Sequence, residues 1–399
     1  MEKFLKNSIY LLIIIIALLV FLIFYKIFPF SVYWQQLLVS FESVDVQENE
    51  LTPPVSSDEV PLKTEERASL FMVGDALIHS AVYADADADT GSGYDFRPMI
   101  SEVKEISKNY DLAFYNQETI LGGSELGLSS YPRFNSPYEV GDAFIDAGFN
   151  LVSLANNHTL DRGETAILNS HQYWSQHPEV MTAGSFSSWD DMNQVNIGEV
   201  NGIRYAFLAY TDWTNGLIVP SEKEYLLARY SNELAKQDIE KVRDQVDVVI
   251  VSMHFGDEYS LNVSSRQREI ATYLASLGVD IVIGHHPHVV EPIEMIDDTL
   301  VIYSLGNFIS AQRGVEKLTG MMFSMDIVRT TEAGVSQITF ENMKAGLVYT
   351  YSDTINGIRR NFKVYPYQNL TEELLPNHEM YYNKYMNLIL QNVSNIERW

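Results

Sequence analysis

The chain of 399 residues contains no cysteine, which excludes disulfide cross-links and thiolate metal ligands alike. It is poor in positive charge, with 27 lysines and arginines against 53 aspartates and glutamates and a formal charge of −26. That balance repels phosphate backbones, and no local basic patch interrupts it, so nucleic acid is excluded as a partner. An anionic polymer is repelled too, unless bound divalent cations reverse the sign locally. Histidine is scarce, nine residues in all. By contrast, the 46% hydrophobic content excludes wholesale disorder, and the length suits one large α/β domain with appendages.

The N-terminus carries an almost uninterrupted apolar run from Ser8 to Phe28, long enough to cross roughly 30 Å of hydrocarbon as a helix. Lys3 and Lys6 precede it, and after Lys26 no basic residue follows until Lys63. The positive-inside bias therefore predicts a single-pass cell-membrane protein with residues 1–7 cytoplasmic, 8–28 spanning, and the main domain extracytoplasmic. A cleaved signal peptide is the alternative. The bulky Tyr25-Lys26-Ile27-Phe28-Pro29-Phe30 stretch offers no small-residue cleavage site, which favours an uncleaved anchor.

Residues 29–67 read as a stalk or linker, polar, acidic and proline-containing over 42–67. The folded domain is predicted over 68–345, with 346–399 a C-terminal extension read as helical, its helix from Glu372 onward. Short apolar runs at 70–73, 112–115, 150–154, 246–251, 279–283 and 300–303 read as strands. Amphipathic segments at 97–108, 139–147, 164–175, 232–244 and 265–277 read as helices. The alternation is an α/β pattern. Asn201-Gly202 between two apolar runs is a type I′ hairpin signal, so the sheets are predicted to be mixed, and a second hairpin is expected from 319–329 and 335–343.

Chemistry gathers where these strands end. Val279 to Ile283 is an apolar strand that runs through Gly284 into His285, His286 and His288, and imidazole is the commonest ligand for Zn, Mn, Fe or Ni. Gly74-Asp75, Asn116 with Glu118, Asn156-Asn157-His158 with Asp161, and His254 with Glu258 and Tyr259 follow other strands. Carboxylate, carboxamide and imidazole donors together suit one or two divalent metal ions. Each residue also has a plainer reading: Asp75 as a helix cap, Asp161 as part of the turn into a helix at Glu164, Tyr259 as a buried tyrosine with a satisfied hydroxyl.

These residues resemble the calcineurin-like metallophosphoesterases, and more closely the CapA-type (PgsA-type) proteins of poly-γ-glutamate capsule synthesis. The resemblance rests on Gly74-Asp75, Asn116-Gln117-Glu118, Ala155 to Gly163, His254 to Tyr259, Gly284 to Glu294 and Tyr303 to Phe308, standing in the same order. It implies a four-layer α/β/β/α metallophosphoesterase-like sandwich with mixed sheets, preceded by one transmembrane helix. It further implies metal ligands at Asp75, Glu118, Asn157, His254, His286 and His288, with His158 as proton donor and Asp161 orienting it. His79, Asn116, His285, Glu258 and Asn307 are further candidates as ligands or as supports of ligands. The implied partners are membrane-embedded polymer synthase or export subunits and an anionic polymer.

Two departures stand out. The usual Asp-x-His of such phosphoesterases is missing, since Ala76 and Leu77 follow Asp75. His79 supplies the imidazole if the chain turns helical there, because it then lies one turn beyond Asp75 on the same face; a surface or supporting role is the alternative. An arginine often found just after this segment is replaced by Ser80, which removes one guanidinium fork for phosphate. Two functional readings follow: a capsule-synthesis subunit that retains a metal-binding cleft, or an active metal-dependent phosphoesterase or amidase acting on a cell-envelope polymer. A plain adhesion or structural protein has no need of matched ligands at five strand ends.

Overall fold

Apolar runs rich in Val, Ile and Phe become strands buried on both faces, as in Leu112–Asn116, Val248–His254 and Ile281–His285, the pattern expected where helices or a second sheet cover each side. The computed structural model describes residues 63–87 and 93–399. The predicted span at 8–28 lies outside the described residues. Among those described, no helix is long and apolar enough to cross a membrane.

The first sheet is built from β1 (Thr64–Leu77), β2 (Leu112–Asn116), β3 (Leu151–Ser153) and β4 (Met181–Ala183), which run parallel to one another. The second holds β5 (Ile197–Val200), β6 (Ile203–Thr211), β7 (Val248–His254), β8 (Ile281–His285), β9 (Ile293–Ile296) and β10 (Thr299–Ile302), in the order β5-β6-β7-β8-β10-β9. Its centre is parallel and both its edges are antiparallel. The chain then returns to the first sheet. β11 (Asn307–Ser310) pairs with the end of β1, while β12 (Thr319–Glu332), β13 (Val335–Ile355) and β14 (Ile358–Pro366) extend it antiparallel, and β15 (Glu397–Arg398) pairs with β13.

Seven helices matter for the packing: α1 (Ser80–Ala86), α2 (Arg97–Ser107), α3 (Glu139–Asp146), α4 (Gly163–Trp174), α5 (Asn232–Val242), α6 (Ser265–Ser276) and α7 (His378–Ile389). Three apolar clusters order the layers. Phe71, Val73 and Tyr115 of the first sheet meet Val103 of α2 and Phe144 of α3 on one side. Alternate residues of the same strands, Leu70, Met72 and Phe114, face Phe207, Ile250 and Ile283 of the second sheet. The outer face of that sheet, with Val249, Val251 and Val282, receives Ile239 of α5 and Ile270 and Leu274 of α6. Helices, sheet, sheet and helices thus stack in four layers, with mixed sheets as the hairpin signal required. Asn201 and Gly202 both adopt positive φ at that turn.

Two boundaries differ from the expectation. The first strand begins at Thr64, inside the predicted linker, because Thr64 to Arg67 continue the ladder with β12 and Arg67 pairs with Asp326 and Glu341. The predicted break at 345/346 falls in the middle of β13, whose residues Ala345 to Thr350 are buried. Residues 346–399 are therefore not a helical extension. They complete the sheet first and form α7 afterwards, and Trp399 packs edge-on against Phe71, 5.8 Å between ring centroids.

Glycine is required where backbones touch. A Cβ on Gly284 in β8 would lie 1.9 Å from the Tyr303 carbonyl oxygen, and one on Gly74 in β1 would lie 1.8 Å from that of Gly306. Neither neighbour is a flexible side-chain end. Gly284→Ala is expected to lower the unfolding free energy by about 2 to 4 kcal/mol, read as a drop in the urea midpoint without a change in slope.

Candidate metal centre

Parallel strands that end at one edge deliver their last residues to a common cleft. Asp75 sits in β1 where the register slips past β2 and β11, opposite Asn116 and Asn307. Glu118 lies two residues beyond β2, and Asn157 and His158 lie in the loop after β3. From the other sheet, His254 ends β7 and faces His285 at the end of β8. His286 and His288 follow on either side of Pro287 with φ of 99° and 57°, a left-handed backbone that costs roughly 1 to 3 kcal/mol per residue. The Tyr259 amide, donating to the Pro287 carbonyl at 2.7 Å, pins this turn.

The side chains converge. Asp75, Glu118 and His288 offer donor atoms that all lie within 4.8 Å of one another. Glu118 Oε1 stands 3.7 Å from His288 Nε2 and 3.8 Å from His254 Nε2. Asn157 Oδ1 approaches His254 Nε2 at 2.9 Å, and His286 Nδ1 is 3.2 Å from the same nitrogen. Ligands about 2.1 Å from a shared ion lie roughly 3 to 4 Å apart, so these separations fit. His288 is steadied by Asn307 Oδ1 at 3.1 Å, and Asn116 donates to Asp75 Oδ1 at 2.8 Å. His285 stacks on Phe114, 5.3 Å between centroids. Its Nδ1 lies 3.1 Å from Asp75 Oδ1 but off the hydrogen-bonding line, leaving both ring nitrogens without a hydrogen-bond partner.

The electrostatics of the cluster are short of positive charge. Asp75 and Glu118 are fully buried, and both Glu118 oxygens and Asp75 Oδ2 have no hydrogen-bond donor. Burial pushes the Glu118 carboxyl well above the usual range. Burial opposes charge on His288 as well, yet Glu118 and Asp75 together raise it to about 9. Asp75 is held well below its ordinary value: burial works against it, and the neighbouring His285 and His288 prevail. Burial lowers His254 well below the imidazole range and His286 to about 3, so both rings keep free lone pairs for a ligand. Unpaired buried carboxylates cost several kcal/mol. A divalent ion held by Asp75, Glu118 and His288 would remove that cost, and these three donors fit one, with His254, Asn157 and His286 adjoining them.

Beside the cluster, His158 Nδ1 lies 2.7 Å from Asp161 Oδ2. The Nδ1 proton goes to that carboxylate, which leaves Nε2 as the ring's working atom. Asp161 Oδ2 also accepts the Phe134 amide at 2.7 Å, and the Phe134 ring meets His158 edge-on at 4.7 Å. Helix α4 begins at Gly163 with Arg162 as its cap, so Asp161 orients an imidazole and does not start the helix. A cavity of about 430 Å³ opens over His158 and Asp161, bounded also by Arg133, Asn215, Glu258 and Tyr259. Glu258 is thus a wall residue of this cavity.

A model of the bacterial capsule synthesis protein PGA_cap family matches residues 69–312. The chain belongs to that family. Similar curated relatives are the PGA biosynthesis protein CapA of Bacillus subtilis, 32% identical over 168 residues, 42% of this chain and 44% of that protein, and the capsule biosynthesis protein CapA of Bacillus anthracis. The second is 30% identical over 276 residues, 67% of this chain and 64% of that protein. The matches therefore span less than two thirds of either relative's length. Among solved structures, the chain is similar to a putative 5′-nucleotidase from Staphylococcus aureus (14% identity, TM-score 0.44, 79% of this chain and 58% of that one). It is also similar to the calcineurin-like phosphoesterase YfkN from Bacillus subtilis (14%, 0.41, 80% and 98%).

The motifs that carried the resemblance meet in the cleft, whereas one further candidate ligand does not join them. His79 does not share a helical face with Asp75, because β1 stays extended through Leu77 and α1 begins only at Ser80. Its Nδ1 is engaged by the Leu77 carbonyl at 3.0 Å and the Ala311 amide at 3.3 Å. Burial lowers the ring to about 4. His79 supports the cleft floor through Phe134, 5.3 Å away edge-on.

Two residues escaped the sequence reading. Asn215, with φ of 51°, accepts from Asn157 Nδ2 at 3.1 Å and thereby turns the Asn157 oxygen toward His254. Its Asn-Gly dipeptide signals a turn, but nothing in the sequence says what the turn approaches. Glu291 is buried beneath the cleft, bound by Gln267 Nε2 at 2.5 Å with its other oxygen unpaired, and burial raises it to about 8. A carboxyl raised in the fold contributes stability that is complete below pH 4.5 and lost as pH rises toward 8. Glu291→Gln is expected to flatten the decline in stability across pH 5 to 8 by up to about 1.4 kcal/mol per pH unit, measured by urea denaturation at a series of pH values.

Proposed function

We propose that this protein is a membrane-anchored, extracytoplasmic component of capsule or poly-γ-glutamate biosynthesis and export that carries a divalent-metal site. Family membership and the names of the two CapA relatives support the capsule role. The observation that carries the metal site is Glu118, a fully buried carboxylate with two undonated oxygens facing Asp75, His288 and His254. In this reading Ser8 to Phe28 anchors the chain with its N-terminus in the cytoplasm, and the domain works beside membrane-embedded synthase or export subunits on an anionic polymer. The metal would be held by Asp75, Glu118, Asn157, His254, His286 and His288, as one ion or two of the Mn, Zn, Fe or Ni type.

The His158–Asp161 pair supports a second reading, hydrolysis of a phosphoester or amide. When bound, a divalent ion supplies Lewis acidity toward the scissile group and toward water. His158 Nε2, directed by Asp161, gives a proton to the leaving atom. Asn157, held by Asn215, is a neutral ligand, so the site keeps net positive charge for an anionic substrate. The cavity wall of Tyr259 and Asn215 orients the chain being cut.

Full-length protein in detergent is expected to bind close to one or two equivalents of Mn or Zn, and Glu118→Gln to lose at least half of that content, measured by elemental analysis after dialysis. Retention of the full content in both Glu118→Gln and Asp75→Asn would remove the metal site. For the hydrolytic reading, His158→Ala is expected to cut turnover of an aryl phosphate or a γ-glutamyl anilide by about 10²-fold or more while leaving metal content unchanged. Metal binding without any turnover in the wild type leaves the assembly role standing and removes the enzyme.

A further inference from the structure

The cavity over His158 raises a question of sign. The domain as a whole is acidic, and Asp161 and Glu258 both border this space, yet the capsule reading asks it to accept a negatively charged polymer. Arg133 is the arginine on the cavity wall. Other arginines of the domain are engaged: Arg67 with Asp326, Arg97 with Asp95, Arg243 with Asp280, Arg266 with Asp212 and Arg268 with Glu294. Arg133 is exposed and takes part in no ion pair or hydrogen bond among the described residues.

Its backbone is nevertheless fixed. The next residue, Phe134, gives its amide to Asp161 and lays its ring against His158, so the guanidinium hangs from the same carboxylate that orients the imidazole. The loop is closed by the Ser129–Asn135 bridge, and Arg162 clamps its other limb through the Leu126 and Gly127 carbonyls at 2.9 Å each. A guanidinium with five donors and no internal acceptor, on a backbone anchored beside His158, is a receptor for a carboxylate or phosphate.

The other wall residues choose between those two. Phosphates present only acceptors to the neighbouring carboxylates of Asp161 and Glu258. A chain that brings one carboxylate and one amide N–H per residue matches better: the carboxylate meets Arg133, the N–H meets the exposed Glu258, and methylenes lie along Leu217 and the Tyr131 ring. We propose that Arg133 is the carboxylate-binding residue of a substrate cleft that seats an amide-linked, carboxylate-bearing chain of the γ-glutamyl type beside the metal centre. This rests on the capsule reading above and adds to it the residue that selects the polymer.

The test uses full-length protein in detergent, loaded with Mn, titrated calorimetrically with a synthetic γ-glutamyl oligomer, an α-glutamyl oligomer and a polyphosphate of equal charge. Wild type is expected to prefer the γ-glutamyl oligomer. Arg133→Ala is expected to weaken it by about tenfold or more, Arg133→Lys to restore part of the loss, and Glu258→Gln to narrow the preference over polyphosphate, all with metal content unchanged. Equal binding by Arg133→Ala and wild type overturns the assignment, as does an Arg133-dependent preference for polyphosphate. Capsule formation in cells carrying each variant separates the two levels. Intact capsule and metal content with unaltered Arg133→Ala binding sinks the inference alone, whereas a chain whose deletion leaves the capsule intact sinks the capsule reading with it.

Discussion

Two carboxylates, Asp75 and Glu118, are withdrawn from water where β1 and β2 end, with buried imidazoles but no lysine or arginine to meet them among the described residues. Much of the cleft's design answers that deficit. Asn116 spends its amide on Asp75, His285 and His288 crowd the same carboxylate, and Glu118 is left with no donor at all. In a fold otherwise well satisfied, such a concentration of orphaned oxygens and lone pairs marks the place where something positive belongs.

The backbone is bent to serve it. His286 and His288 sit in left-handed conformations on either side of a proline, and Gly74 and Gly284 let neighbouring backbone segments come closer than any side chain allows. These costs are borne by a core that is buried in three separate layers. The His158 imidazole is arranged differently. His158 owes its orientation to one carboxylate and one aromatic ring, and its surroundings are a cavity wall assembled from loops.

Most of the fold and half of the cleft were legible in the residues themselves. Strand interiors announce themselves as apolar runs, and in an α/β fold the polar residue after such a run has only the cleft to enter. That is why these strand ends could be expected to meet, while the choice of Asp75, Glu118, Asn157, His254, His286 and His288 as ligands rests on the resemblance. His79 was misjudged because a strand that continues through a bulge to Leu77 looks no different in sequence from one that stops at Asp75. The tail was misjudged because β13 runs on through Ala345 to Ile355, and its partners in β12, 22 to 30 residues earlier, do not show in local periodicity. Asn215, Glu291 and Arg133 were invisible for a related reason: each reaches the cleft from a loop or from beneath it, by an approach that only the assembled sheets define. The apolar N-terminal run falls outside the described residues.

The ligand set is divided between the two halves of the sandwich. Asp75, Glu118 and Asn157 hang from β1, β2 and the loop after β3, whereas His254, His286 and His288 hang from β7 and β8. Neither half brings these side chains together until the other has docked, so an ion bound there would act as a rivet between them, and the closing of the sandwich would then depend on what the surrounding fluid supplies.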